Sequence, residues 1–444
     1  MNASSRNIDL AKVVVFSGLG IFMFFIPFFP IGVGGQALLV YGVNLVKELL
    51  NPILSQLVLF AIYSLIVFCL YAKFSKSDNV IKHYYGRVKW YSIVLYCIGA
   101  ILGTMIYCNM GPASLLAPEI GGLGLGLART VVVTITVAGM MVPFIAEFGL
   151  LEFVGTLIEP LMRPIFKVPG CASIDAVTSF VANPTVGIFF TNKLYNAKKY
   201  TTREAAAIAT NFSFISLGYF AVMCQMANIL DYYGSVVLSA FIISFIMALI
   251  MIRIPPISFL PDKFIDGTDQ VKDQVIHFNF ALLQAAYASA LDKAHSIKCA
   301  PLFKRYLVDV LIFSQKIAAY ILCLSVITLW LVDNTSIFNY IGIPFGYLLD
   351  ICQIPNAAEI APTMILGLAE VALPATYISG MTIATESAFF VVVVSSLQII
   401  MFSNSAVSIL ESDIPLNIAN LIIIFFVRTL LAIPIVAVVT HFIF

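Results

Sequence analysis

Charge is what this 444-residue chain has least of. Lys, Arg, Asp and Glu make up 11% of it, against about 25% in a soluble domain. With 61% hydrophobic residues and a mean hydropathy of +1.01, the shortage excludes an ordinary water-soluble globule. Formal net charge is only +1, so no global field draws the chain to nucleic acid, which is not expected among its partners. Histidine is scarce as well. His83, His277, His295 and His441 fall in loops or at a helix end and offer no intramembrane pair for a metal or haem. There is no His-Glu-x-x-His and no Walker loop, and the Gly121–Gly126 run follows no strand, so it is no dinucleotide loop. The eight cysteines are scattered without a Cys-x-x-Cys and read as small membrane-helix residues. No nucleophile–base pair stands out, and enzymatic chemistry is not expected.

What the chain does have is apolar runs. Nine are long enough to span a membrane, near 10–30, 52–72, 90–110, 129–151, 204–228, 234–254, 310–332, 385–404 and 415–441. The first is too long for a signal-peptide core and lacks a cleavage site, so it counts as a helix. Amphipathic pieces at 152–167 and 337–351 are expected to lie along the interface. The one long polar connection, 257–309, follows Pro255-Pro256 and contains an expected soluble helix over 271–294.

The stretch from Val168 to Asn192 is apolar but carries Asn183-Pro184 in its middle. Proline removes a donor and disfavours helix at the preceding residue, so the segment breaks there. Each half is about ten residues, too short for a ~30 Å hydrocarbon core. A re-entrant hairpin over 171–192 is the expectation. The pattern recurs: Pro169 is echoed by Pro355, 186 residues on (355 − 169), and Glu204 by Glu386, 182 on (386 − 204). A second hairpin over 357–380 follows from that internal duplication.

Basic residues orient the spans. With the N-terminus inside, twenty of the 24 Lys and Arg residues fall on the cytoplasmic side, and 333–359, which has none, falls outside. The arrangement holds only if the first hairpin enters and leaves from the cytoplasm. The two duplicated units then have opposite topology, as in alternating-access transporters.

Each unit therefore reads span, interfacial helix, re-entrant hairpin, span, span. With its Gly/Pro-marked hairpins and polar downstream spans, the chain resembles the nucleoside-recognition Gate-domain membrane proteins. Its opening run from Gly20 to Pro27 (GIFMFFIP) resembles the N-terminus of their YjiH branch. The layout is also similar to that of concentrative nucleoside transporters. That resemblance implies a homotrimer, an ion gradient as driving force and a nucleoside-like solute. Those transporters read the base with a Gly-Gln-Thr-Glu type tip, where this chain has Ala182-Asn183-Pro184-Thr185. The nearest match here, Leu368-Ala369-Glu370-Val371-Ala372-Leu373-Pro374, lies in the second hairpin.

Several polar residues stand out against the apolar background. Asn183 and Thr185 sit at the first hairpin's break, where half-helix ends expose unpaired backbone groups; they either bind solute or cap the break. Glu370 and Glu147 are carboxylates in apolar runs, each costing about 2.5–3.5 kcal/mol at membrane depth on insertion scales, and both are candidates for ion coupling. Glu147 is alternatively an ordinary interfacial carboxylate. Glu204 and Glu386 open spans; Glu204 reads as a cap and Glu386 as cap or site. Asn211, Ser213 and Ser216, and the later Ser395, Ser396, Gln398, Ser403 and Asn404, are either helix-packing residues or a polar pocket. Arg428 is a lone intramembrane cation expected to pair with a carboxylate or to hold a substrate anion.

The expected fold is an all-α polytopic membrane protein with inverted structural repeats: a three-span region (1–128), a first repeat (129–254), a cytoplasmic loop (255–309) and a second repeat (310–444). The expected function is secondary transport of a small polar solute by alternating access, with H+ or Na+ as coupling ion and no other cofactor. A nucleoside is the first candidate. An amino-acid or small-peptide transporter, an uncoupled channel, and a non-transporting scaffold or sensor acting through the loop are the alternatives. Solute binding is assigned to Asn183, Thr185, Asn211, Ser213, Glu370, Glu386, Gln398 and Asn404, and ion coupling to Glu147 and Glu370. The setting is a bacterial inner membrane.

Overall fold

Six helices are long and apolar enough to cross a membrane among the residues described, which are 10–25, 27–28, 36–75, 79–86, 88–181, 184–270, 280–379 and 381–444 of a computed structural model. The protein is an all-helical, multi-pass membrane protein. Strand pairing is confined, among the described residues, to Pro27–Phe28 with Gln36–Ala37 and a bridge between Lys263 and Asp269.

The chain opens with α1 (Leu10–Met23), followed by the amphipathic α2 (Leu38–Leu50), α3 (Leu54–Phe74) and α4 (Trp90–Tyr107). The span expected over 10–30 is thus helical in its first two-thirds; residues 29–35 lie outside those described. Then comes α5 (Pro118–Ala146), which packs along α13 (Cys299–Asn334) in the most extensive helix contact of the fold.

After α5 the chain turns at Gly149 into α6 (Leu150–Phe166). The first hairpin follows. Its arms α7 (Ala172–Val181) and α8 (Pro184–Asn196) pack against each other, with Pro184 opening the second arm. The Glu159 side chain of α6 accepts the backbone N–H of Gly170 and pairs with Arg163 at 2.5 Å, which fixes where the hairpin starts. Downstream, Thr201 and Glu204 form a reciprocal capping box at 3.3 and 2.8 Å, the capping role expected of Glu204.

Two expected spans are not continuous. The run at 204–228 is α9 (Thr202–Asn211), an unwound stretch at 212–216, and α10 (Leu217–Met226). The run at 385–404 is α17 (Thr385–Gln398), an unwound stretch at 399–404, and α18 (Ser405–Glu411). Each broken helix is followed by a full-length one, α11 (Tyr233–Met251) and α19 (Ile418–Ile443). The second half thus repeats the element order of the first: α13, then α14 (Ile337–Ile351), a hairpin of α15 (Ala357–Leu366) and α16 (Leu373–Ile378), a broken helix and a long helix.

The polar connection is more ordered than expected. Helix α12 (Phe280–His295) docks against α6, burying Leu282, Ala286, Ala290 and Leu291; residues 271–279 of the expected helix lie outside those described. Helix α13 starts at Cys299 rather than near 310, because its first turns carry Tyr306, which is fully buried. Docking depends on Gly149. It has φ +100°, and a Cβ there would lie 2.6 Å from the carbonyl oxygen of Ala290. Gly149→Ala is therefore expected to destabilise this corner by roughly 1–3 kcal/mol. Limited proteolysis checks it: cleavage within 257–298 becomes faster in the variant.

Candidate functional site

Irregular backbone is tolerated at membrane depth only where protein or a wet cavity satisfies its polar groups. Here the irregular segments satisfy one another. Phe402 and Ser403, in the second unwound stretch, donate their backbone N–H groups to the carbonyls of Leu368 and Ala369 in the second hairpin's turn, at 2.8 and 3.0 Å. Ser405 accepts from the N–H of Met401 at 3.1 Å and donates to the carbonyl of Ile399, and Ser325 of α13 donates to that of Phe402 at 3.0 Å. Ile399 itself sits at φ +59° and ψ −39°, a positive-φ conformation rare for a β-branched residue, and it ends α17.

The halves also cross-link. Tyr219 of α10 donates its hydroxyl to Glu370 in the second hairpin's turn at 2.5 Å. Thr185, at the start of the first hairpin's second arm, donates to Asn404 in the second unwound stretch. Each hairpin is thus tied to the broken helix of the other half. Between them lies a cavity of about 300 Å³, the lower end of the range for small-molecule sites. Ser216, Glu370, Met401 and Asn404 come from the irregular segments, and Pro184 and Tyr219 from the helix starts beside them; Thr130 and Thr134 of α5, and Asn44 of α2, add polar groups from its wall.

Arg428 is fully buried in α19. Its Nε and Nη2 donate to the carbonyl of Leu397 at 2.9 and 2.7 Å, and its Nη1 donates to the carbonyl of Thr210 at 3.1 Å and the Asn211 Oδ1 at 2.6 Å. Leu397 is near the end of α17, and Thr210 and Asn211 are at the end of α9. Arg428 therefore bridges the C-termini of the two broken helices, and among the described residues no carboxylate lies within ion-pair distance of it. Its expected carboxylate or anion partner is replaced by helix ends. Each C-terminus carries about −0.5 of charge, so the two together come to about one negative charge facing one guanidinium.

The remaining sequence candidates divide. Thr185, Glu370 and Asn404 meet at or beside the cavity. Asn211 serves Arg428. Ser213 is buried in the first unwound stretch. Gln398 donates to the carbonyl of Met364 at 2.6 Å and to Thr429 at 3.0 Å, tying the second hairpin to α19. Asn183 lies outside the described residues. Glu386 and Glu147 are not among the cavity's lining residues. Glu386 pairs with His441 at 3.1 Å. Glu147, at the end of α5, pairs with Lys293 at 2.7 Å and Arg305 at 3.6 Å and accepts from Tyr306 at 3.0 Å. It fastens the docked loop. Sequence reasoning missed Asn44, Thr130, Thr134 and Tyr219. The i,i+4 spacing of Thr130 and Thr134 placed both on one face of α5 and was the available signal.

Residues 128–230 match the Gate family, described as nucleoside recognition. Over 445 aligned residues the chain is 31% identical to an uncharacterized protein of Alkalihalophilus pseudofirmus, covering 98% of this chain and 94% of that one. The chain belongs to the Gate family of membrane proteins. A shorter stretch of 82 residues, 16% of this chain and 20% of the other, is 33% identical to the sporulation integral membrane protein YlbJ of Bacillus subtilis. No solved structure matches. The Gate match runs from α5 through the first broken helix, so it takes in Thr130, Thr134, Thr185, Asn211, Ser216 and Tyr219.

Removing the Arg428 bridge strands two buried carbonyls, at about 1–3 kcal/mol each. Arg428→Met is accordingly expected to lower stability by roughly 2–6 kcal/mol, read as a lower melting temperature in detergent. Arg428→Lys recovers only part, since an ammonium lacks the rigid fork that reaches both helix ends. An unchanged melting temperature in both variants would contradict the bridge.

Proposed function

We propose that this Gate-family protein is a secondary transporter that moves a small polar solute by alternating access, in a bacterial cytoplasmic membrane with the N-terminus inside. One observation carries the reading: the second arm of the first hairpin, the turn of the second hairpin and the breaks of both broken helices converge on one cavity, whose largely apolar wall carries Glu370, Tyr219, Ser216 and Asn404. Discontinuous helices around a central cavity are how transporters build a solute site. The repeated element order, with the basic residues gathered on one side, supports opposite topology for the two halves and re-entrant hairpins. In that orientation the Glu147–Lys293–Arg305 cluster is cytoplasmic, and the cavity lies beside the middle of α5.

The wall chemistry favours an uncharged solute rich in hydrogen-bonding groups. Glu370 accepts, Tyr219 and the threonine hydroxyls donate or accept, and Asn404 does both. A nucleoside suits this set, and the family's description as nucleoside recognition makes it the first solute to try. Amino acids and small peptides are the next candidates.

A thermal-shift screen of the purified protein against nucleosides, nucleobases, amino acids and dipeptides tests the reading, since a ligand of the folded state raises its melting temperature. A nucleoside is expected to do so. Glu370→Gln is expected to weaken that binding by about 0.5–1.5 kcal/mol, the net worth of a hydrogen bond. Glu147→Gln and Glu386→Gln, away from the cavity, leave binding unchanged. Binding that survives Glu370→Gln but fails in Glu147→Gln would place the solute in the wrong part of the molecule. Flux without ion dependence or accumulation would make the protein a channel.

A further inference from the structure

One buried carboxylate takes no part in the cavity. Asp175 lies in the first arm of the first hairpin and is 1% exposed. Its Oδ2 is 3.0 Å from both the Thr191 hydroxyl of the facing arm and the Tyr200 hydroxyl. Its Oδ1 is buried without a hydrogen-bond partner.

No cation answers it. Among the described residues none lies within ion-pair distance, and the charged groups on the elements packed around it are engaged elsewhere. On α6, Glu152 pairs with Lys199, and Glu159 with Arg163, which also reaches Glu204 of α9. On α8, Lys193 pairs with Asp309, while Tyr195 meets Thr202 at 3.0 Å. Arg203 of α9 donates to the carbonyl of Leu260 at 2.9 Å. Lys12 of α1 reaches the carbonyl of Ala294 at 3.4 Å. The other titratable neighbours, Tyr200 and the Cys171 thiol, are neutral when protonated.

An ionised carboxylate in such a place is too costly to persist; it takes up a proton instead. The surroundings accommodate the acid form. Thr191 Oγ1 is 3.0 Å from both Asp175 Oδ2 and the Gly187 carbonyl oxygen. Its single proton can go to Gly187, which leaves its oxygen free to accept from a protonated Oδ2. The arms are also pressed together here: a Cβ on Gly187 would lie 1.8 Å from the Ser179 Oγ and 3.6 Å from the Asp175 carbonyl oxygen. That spacing suits a bare proton better than a cation with its own oxygen shell.

We propose that Asp175 is the proton-coupling site of this transporter. It holds a proton on its carboxyl while the two arms are packed together. When the hairpin shifts and water enters, the carboxyl O–H bond breaks, the proton passes to water as hydronium, and the carboxylate remains until a proton returns from the other side. The coupling role rests on the transport reading above; the protonated state does not.

Two measurements on the full-length protein separate them. Infrared spectroscopy in detergent is expected to find a protonated-carboxyl band that persists well above the pH at which an exposed carboxyl ionises. The band disappears in Asp175→Asn and moves to higher frequency in Thr191→Val, which removes one hydrogen-bond partner. In proteoliposomes, Asp175→Asn is expected to keep solute binding and solute exchange while accumulation driven by a pH gradient falls to background. Absence of the band, or pH-driven accumulation that survives in Asp175→Asn, overturns the proposal, as does accumulation that follows a Na+ gradient alone. A wild-type protein that keeps the band but moves no solute sinks the transport reading and the coupling role with it, and leaves the proton site standing.

Discussion

Arg428 donates from all three guanidinium nitrogens into the ends of two helices that come from opposite halves of the chain. A helix that stops inside a membrane leaves carbonyls with no water to turn to. One such end is costly, and two facing ends repel through their dipoles. A cation between them removes both problems, and the helix ends in turn remove the cost of burying an unpaired charge. Interruption of α9 and α17 thus becomes a stable arrangement. Unwound backbone after each helix exposes groups that pair with the second hairpin's turn or face the space between.

The hairpin breaks could be read in the chain because they have local causes. Asn183-Pro184 carries a local helix-breaking signal, and α7 ends at Val181 while α8 begins at Pro184. The Thr201–Glu204 cap is equally local. The breaks in α9 and α17 are different. Neither 212–216 nor 399–404 contains a proline or glycine. Asn404 apart, both consist of apolar or hydroxyl-bearing residues that suit a continuous membrane helix, so a window of sequence reports one. Their breakage is set by partners far along the chain: Arg428, more than 200 residues from Asn211, and the carbonyls of Leu368 and Ala369.

The same distinction sorts the candidate site. Glu370 and Asn404 could be picked out as polar residues in apolar surroundings, and they do face the cavity. Glu147 and Glu386 carried the same local signal and instead pair with Lys293 and His441, partners that sequence spacing does not bring near. Asp175 was passed over because Ser173, Thr178 and Ser179 around it made the segment look ordinarily polar; only its burial and the engagement of every nearby cation set it apart.

Hydrogen–deuterium exchange, followed by mass spectrometry, tests the Arg428 bridge most directly. Wild-type and Arg428→Lys proteins are compared on peptides covering 205–216 and 392–404. If one guanidinium holds both helix ends, exchange rises in both peptides together in the variant, while α3 (Leu54–Phe74), which makes no contact with the bridge, is unchanged. A rise in one peptide alone, or in neither, would mean that the two breaks are held independently and that the halves are not joined through Arg428.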